Sequence, residues 1–119
     1  MPKAHGLNFL GTRTEKFDET IRFFQDVMGL KVQHRRKDFV ILQFDNGIHV
    51  EVFGPEEKEH PFMTTGPVVG FKVDDVRAAR AEMEAAGVEF LDDEVQSFHG
   101  SSWTHFRGPD GNVYQLADD

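Results

Sequence analysis

The chain contains no cysteine, so disulfide stapling, thiolate metal ligation and cysteine nucleophiles are all excluded. It has no apolar run near the roughly 18 residues that a membrane-spanning helix needs. It also has no basic excess. Lys and Arg number 13 against 21 Asp and Glu, and the net charge is −8. An acidic chain repels phosphate backbones, so no nucleic-acid partner is expected. The opening MPKAHGLNFLG has no apolar block before a small-residue cleavage site. The expectation is a cytoplasmic protein with no membrane partner.

Against these absences stand 12 Phe in 119 residues, a density that belongs to a core or an apolar pocket. The length fits one domain with a core of its own. Within it, two segments repeat one order of signals. In the first, LNFLG reads as a strand and FDETIRFFQDVMG as a helix, with Phe17, Ile21, Phe24 and Met28 at helical spacing. Gly29 stands where a helix C-cap belongs. LKVQH, DFVILQF and IHVEVF read as three strands, the last two joined by Asp45-Asn46-Gly47, a hairpin signal.

The second segment follows suit. VVGFKV reads as a strand. Asp74 and Asp75 can cap a helix with Val76, Ala79, Met83 and Ala86 as its stripe, and Gly87 closes it. VEFLD, SSWTHF and NVYQLA read as strands, with RGPDG as the turn between the last two. Gly29 aligns with Gly87, Phe44 with Phe106, Gly47 with Gly111, Glu51 with Gln115, and Leu7-Asn8-Phe9 with Val69-Gly70-Phe71. The expected organisation is one domain over residues 1–119. Module one covers about 5–54, a linker about 55–66 and module two about 67–118. Each module is βαβββ, and the class is α+β.

Strand alternation sorts the side chains into two faces. Val40, Leu42, Val50, Val52, Thr104, Phe106, Tyr114, Leu116, Leu7 and Phe9 are expected under the helices. Asn8, Phe39, Ile41, Gln43, His49, Glu51, Phe53, Trp103, His105, Arg107, Val113 and Gln115 are expected on the opposite face. Aromatics mixed with a few polar groups make the composition of a small-molecule pocket. Trp103, Phe53 and Phe39 are poor residues to leave in water.

The pattern resembles the vicinal oxygen chelate superfamily, which includes glyoxalase I, the fosfomycin and bleomycin resistance proteins and extradiol dioxygenases. TIRFFQDVMGLKV is similar to the family's aromatic pair followed by D-V-L-G-L. IHVEVFG, FKVDDV and FRGPDGNVYQL are similar to its other phrases, in the same order. The resemblance implies an eight-stranded half-barrel with helices outside, and a homodimer in single-domain members. It also implies metal ligands at matching points in the metal enzymes: His on each first strand, Glu or Gln on each last strand. Aligned as above, those points are Gly6, Val68, Glu51 and Gln115. Neither Gly6 nor Val68 has a side chain that ligates, so no metal or other cofactor is expected. A one-residue shift would bring in His5, giving His5 and Glu51 as ligands of Ni, Co, Zn, Fe or Mn, but it would turn Leu7 and Phe9 from the core.

Two functions fit. One is a metal-independent pocket for a small organic, possibly aromatic ligand, bound by Asn8, Phe39, His49, Phe53, Trp103, Arg107 and Gln115. The alternative is a metal-dependent lyase, isomerase or dioxygenase with a rebuilt site. For any catalysis Glu51 is the expected base, since a carboxylate desolvated among aromatics gains basicity, and His105 or His49 could shuttle the proton. Strand edges and an apolar face that need cover predict a homodimer. Sedimentation at micromolar concentration should give twice the chain mass; the mass of a single chain would refute the dimer.

Overall fold

The computed structural model describes residues 2–64 and 66–119. The strands and helices run in the order β1 (Leu7–Arg13), α1 (Phe17–Arg22), a π-helical turn (Phe23–Val27), β2 (Lys31–Arg35), β3 (Phe39–Gln43), β4 (His49–Phe53), β5 (Val68–Lys72), α2 (Val76–Ala85), β6 (Gln96–Phe98), β7 (Ser101–Arg107) and β8 (Val113–Ala117). This is two βαβββ modules and an α+β fold, as the repeat predicts. The chain gathers into two compact units, residues 9–67 and residues 1–8 with 68–119. None of the described helices is long and apolar enough to cross a membrane.

In the first unit the strand order is β2-β3-β4-β1, with β1 parallel to β4 and the other pairs antiparallel. In the second it is β5-β8-β7-β6, again with the first strand parallel to the last. The hairpin turns form where expected. Gly47 and Gly111 both take φ values near +90°, a region that glycine enters without the Cβ penalty.

The helices lie on the predicted faces. Ile21 packs with Leu30, Val40, Leu42, Val50 and Val52 in one core. Val76 and Ala79 pack with Val73 and Leu116 in the other, with Phe71, Met83 and Phe106 against them. Fully burying an aliphatic side chain of this size contributes roughly 1.5–3 kcal/mol. Asp75 caps α2 by accepting the Ala78 N–H at 3.0 Å. Helix one departs from expectation. Its last turn is π-helical, with the Met28 N–H donating to the Phe23 carbonyl at 3.2 Å. The extra residue in that turn rotates the apolar stripe. Met28 therefore emerges half-exposed and Leu30 takes its buried place.

The first strand faces the opposite way from the prediction. Leu10 packs on the core under α1. Phe9 lies instead with Gly11 and Phe53: a Cβ on Gly11 would stand 2.7 Å from Phe9 Cζ and 3.3 Å from Phe53 Cε2. Leu7 and Phe9 thus share the face of Glu51 and Phe53, while Asn8 lies on the other side. The register corrects the repeat as well. Gly11 pairs with Glu51 and Gly70 with Gln115, so Phe9, not Gly6, is the counterpart of Val68. Apolar residues stand on both sides of β1, so strand pattern alone does not choose its face.

The expected strand VEFLD is also corrected. Phe90 makes an isolated bridge to Phe106, the chain leaves the sheet, and the paired strand resumes at Gln96–Phe98. The segment read as a linker is tied down in part. The Arg13 guanidinium donates to the carbonyls of Gly54 at 2.8 Å, Glu57 at 2.9 Å and His60 at 2.8 Å, and to Glu57 Oε1 at 2.8 Å.

Candidate functional site

The break in the strand before β7 is filled by a side chain. Where a backbone carbonyl of a continuous strand would sit, Asp92 Oδ1 accepts the His105 N–H at 2.9 Å. The same oxygen accepts the Thr104 hydroxyl at 2.7 Å. Oδ2 accepts His105 Nδ1–H at 2.7 Å and the Gln96 amide at 2.8 Å. Behind it, Arg80 of α2 donates to the Thr104 hydroxyl oxygen at 2.8 Å and to the Asp92 carbonyl at 2.7 Å. Burial by itself would raise the Asp92 carboxyl. The hydrogen bonds from His105 and Thr104 overcome it and hold the group well below the usual carboxylate range.

His105 is 0 % exposed. Its Nδ1 carries a proton because Asp92 can only accept, and its Nε2 faces Gln115 Oε1 at 3.0 Å. With the amide in this orientation both ring nitrogens donate, and the imidazolium is balanced by the Asp92 carboxylate. Turned over, the amide would offer its NH₂ to a neutral ring. The arrangement can therefore hold His105 as a donor or an acceptor at Nε2, with Asp92 fixing the ring in both states.

The other expected site residues divide. Trp103 is half-buried beside this group, its indole N–H donating to Gln96 Oε1 at 3.1 Å. Val113 and Gln115 are buried. Arg107 is tied to the Gly111 carbonyl at 2.7 Å in its own turn. In the first module His49, Glu51 and Phe53 alternate along one face of β4, with Phe39 against Phe53 at a ring separation of 6.0 Å. Asn8 does not join them. Its amide donates to the Asp119 carbonyl at 2.9 Å and holds the end of the chain. The registers equate Ile41 with His105, through their partners Glu51 and Gln115, and Phe39 with Trp103.

The points where the resemblance places metal ligands can now be read in register. They are Phe9 and Val68 on the first strands and Glu51 and Gln115 on the last. Phe9 and Val68 are buried and have no donor atom, and Gln115 is engaged by His105. A site of several converging N and O donors does not fit this set. His5, the alternative ligand, sits ahead of β1 with Nε2 3.1 Å from Asp74 Oδ2. Among the described residues Glu57, Glu59 and His60 bring ligand atoms within 4.8 Å of one another. There the Arg13 guanidinium already faces Glu57 at 2.8 Å and supplies the positive charge. Burial would raise the Glu57 carboxyl, but hydrogen bonds from Arg13 and His60 lower it overall.

Asp92, Arg80, Thr104 and Gln96 form the most extensively hydrogen-bonded polar group in the second module, yet the strand pattern does not single them out. One signal was present: Arg80 falls at helical spacing among Val76, Ala79 and Met83, a cation on an apolar stripe. Because the Asp92 carboxyl is lowered from its ordinary 3.8, its stabilisation is complete above that value and lost as pH falls through the folded value. Asp92→Asn should flatten this loss below about pH 4 and cost roughly 1.5–3 kcal/mol at neutral pH. Urea unfolding from pH 7 down to pH 2.5 would check it; an unchanged acid limb would refute the assignment.

Comparison with known proteins places this geometry. No curated protein matches the chain significantly in sequence. Among solved structures, methylmalonyl-CoA epimerase from Mycobacterium tuberculosis is 16% identical, with a TM-score of 0.74 over 97% of this chain and 88% of that one. The Streptomyces coelicolor methylmalonyl-CoA epimerase in complex with 2-nitronate-propionyl-CoA is 20% identical, with a TM-score of 0.74 over 98% and 99%. At such identities the likeness is one of fold. Residues 6–116 match the Glyoxalase/Bleomycin resistance protein/Dioxygenase superfamily, and the chain belongs to that superfamily.

Proposed function

We propose that this chain is a small-molecule-binding member of its superfamily that works without the divalent metal of the family's metal enzymes, and that it does so as a homodimer in the cytoplasm. One observation carries the reading: Phe9 and Val68, both buried and apolar, occupy the two first-strand points. In the second module Trp103 supplies stacking area and Arg107 and Gln115 can orient a ligand; in the first, Phe39, backed by the buried Phe53, supplies stacking area and His49 and Glu51 can orient. Sequestering a ligand requires no reaction, so the apolar first-strand points cost such a protein nothing.

The test has two parts. Protein dialysed against chelator should take up Ni²⁺, Co²⁺ or Zn²⁺ only weakly in calorimetry. The metal-free protein should still bind an aromatic ligand with a change in Trp103 fluorescence, and Trp103→Ala should weaken that binding by roughly fivefold or more. A stoichiometric metal released only slowly to chelators would overturn the reading. It would bring forward the metal-dependent lyase, isomerase or dioxygenase, with Glu51 and His5 as ligands to test first.

A second reading, metal-free acid–base catalysis, is favoured by the Asp92–His105 pair. A buried imidazole oriented by a carboxylate is suited to moving a proton at Nε2 once Gln115 yields that position to a ligand. Methylmalonyl-CoA epimerases share this fold, so exchange of the C2 proton of methylmalonyl-CoA in D₂O is the first assay. Glu51→Gln should keep the fold within about 1 kcal/mol and lower exchange by roughly 100-fold or more if Glu51 is the base. A loss confined to His105→Gln would move the role to His105, and no exchange by the parent protein would remove this reaction.

A further inference from the structure

One short stretch of this acidic chain is strongly basic. No acidic residue lies between Asp26 and Asp38, and Lys31, His34, Arg35, Arg36 and Lys37 all fall in that interval. The run forms β2 and the turn into β3. The Arg36 N–H donates to the Phe39 carbonyl at 2.8 Å, and the Gly54 N–H donates to the Asp38 carbonyl at 2.8 Å. The turn is thus hydrogen-bonded across itself and to the end of β4.

Arg36 does not simply extend into water. Its guanidinium lies over the Phe39 ring, 5.0 Å from the centroid. Its one ion pair is loose, Nε to Asp38 Oδ1 at 3.8 Å, and among the described residues its two Nη groups donate no hydrogen bond. Phe39 also begins a row of rings. His34 lies 5.9 Å from it on one side and Phe53 6.0 Å on the other, and His60 follows 5.6 Å beyond Phe53. A planar fork with free donors is thus held at the edge of an aromatic surface.

We propose that the β2–β3 turn and the Phe39 edge form a binding site for a small anion that carries a flat ring. This rests on the small-ligand reading above and adds the charge class of the ligand. The ring lies against Phe39 and His34, and its phosphate or carboxylate takes paired N–H donors from Arg36, with Arg35 and Lys37 adding charge. Stacking and a charge-assisted fork each contribute modestly at a surface, so the pair discriminates where neither does alone. The nearest opposing carboxylate is Asp38, and Glu51 shares the face of β4 with Phe53. The net charge of −8 disfavours a long polyanion on the same surface.

The test is an amide-resolved NMR titration of the full chain with phenyl phosphate, benzoate, inorganic phosphate and phenol. Phenyl phosphate or benzoate should shift residues 34–39 and Phe53 saturably, at least about tenfold more tightly than inorganic phosphate or phenol. The tighter of the two ring-bearing anions assigns the anionic group. Arg36→Gln, an exposed change that leaves the core intact, should remove most of that advantage, and Phe39→Leu should lower it while keeping the strand packed. Inorganic phosphate binding as well as phenyl phosphate, or an unaffected Arg36→Gln variant, overturns the inference. If aromatic ligands alter Trp103 fluorescence but leave this turn unshifted, the inference fails and the small-ligand reading stands. If neither responds, both fall.

Discussion

The Asp92 carboxylate organises the second module. It closes the gap left where the strand before β7 departs from the sheet, and it joins the two faces of that sheet. Through Thr104 it meets Arg80 on the helix side, and through His105 it meets Gln115 on the other. Its side chain is 7 % exposed, and its negative charge is answered by hydrogen bonds on both oxygens. Taking a carboxylate out of water costs several kcal/mol unless its lone pairs are filled, as the donors around Asp92 fill them. The ring of His105, the hydroxyl of Thr104 and the course of the chain around Asp92 are therefore set together.

The parallel pairing of first and last strands gives the duplication its internal ruler. Once Gly11 is set beside Glu51 and Gly70 beside Gln115, the positions on the first, third and last strands of one module find their counterparts on the other. The same ruler exposes their divergence. Module one carries Phe9, Ile41 and Glu51 where module two carries Val68, His105 and Gln115. The apolar first-strand positions agree between modules, while the middle and last strands exchange an aliphatic and a carboxylate for an imidazole and an amide. The charge that module one keeps on Glu51 thus sits on a different strand from the imidazole of module two.

Much of this was legible in the sequence. The βαβββ order, the caps at Gly29 and Gly87, the turns at Gly47 and Gly111 and the inward faces of β3, β4 and α2 follow from periodicity and turn chemistry. What escaped has physical causes. β1 has bulky apolar residues at Leu7, Phe9 and Leu10, so alternation does not separate its faces; only packing against Gly11 and Phe53 does. The departure of the chain at Asp92 depends on a contact thirteen residues away in sequence, between Asp92 and His105. A local reading of VEFLD sees only a strand former. Arg13 reads as one more cation in a turn, and its four-carbonyl clamp on residues 54–63 exists only after β1 and the segment beyond β4 have been brought together.

Gly11 and Phe9 bear on chemistry as well as packing. With no Cβ on Gly11, the Phe9 ring lies over that backbone, and Phe53 approaches from the neighbouring strand. Glu51 is Gly11's partner across the ladder, so its carboxylate stands on the same face as the Phe9 and Phe53 rings. A histidine at residue 9 would have to bury two ring nitrogens where Phe9 buries none, and each unpaired polar atom in such a place costs roughly 1–3 kcal/mol. The apolar residues at the first-strand points are thus part of the packing of their module. The buried polar group of module two lies instead on its middle strand, where Asp92 and Gln115 provide the hydrogen bonds that a buried imidazole needs.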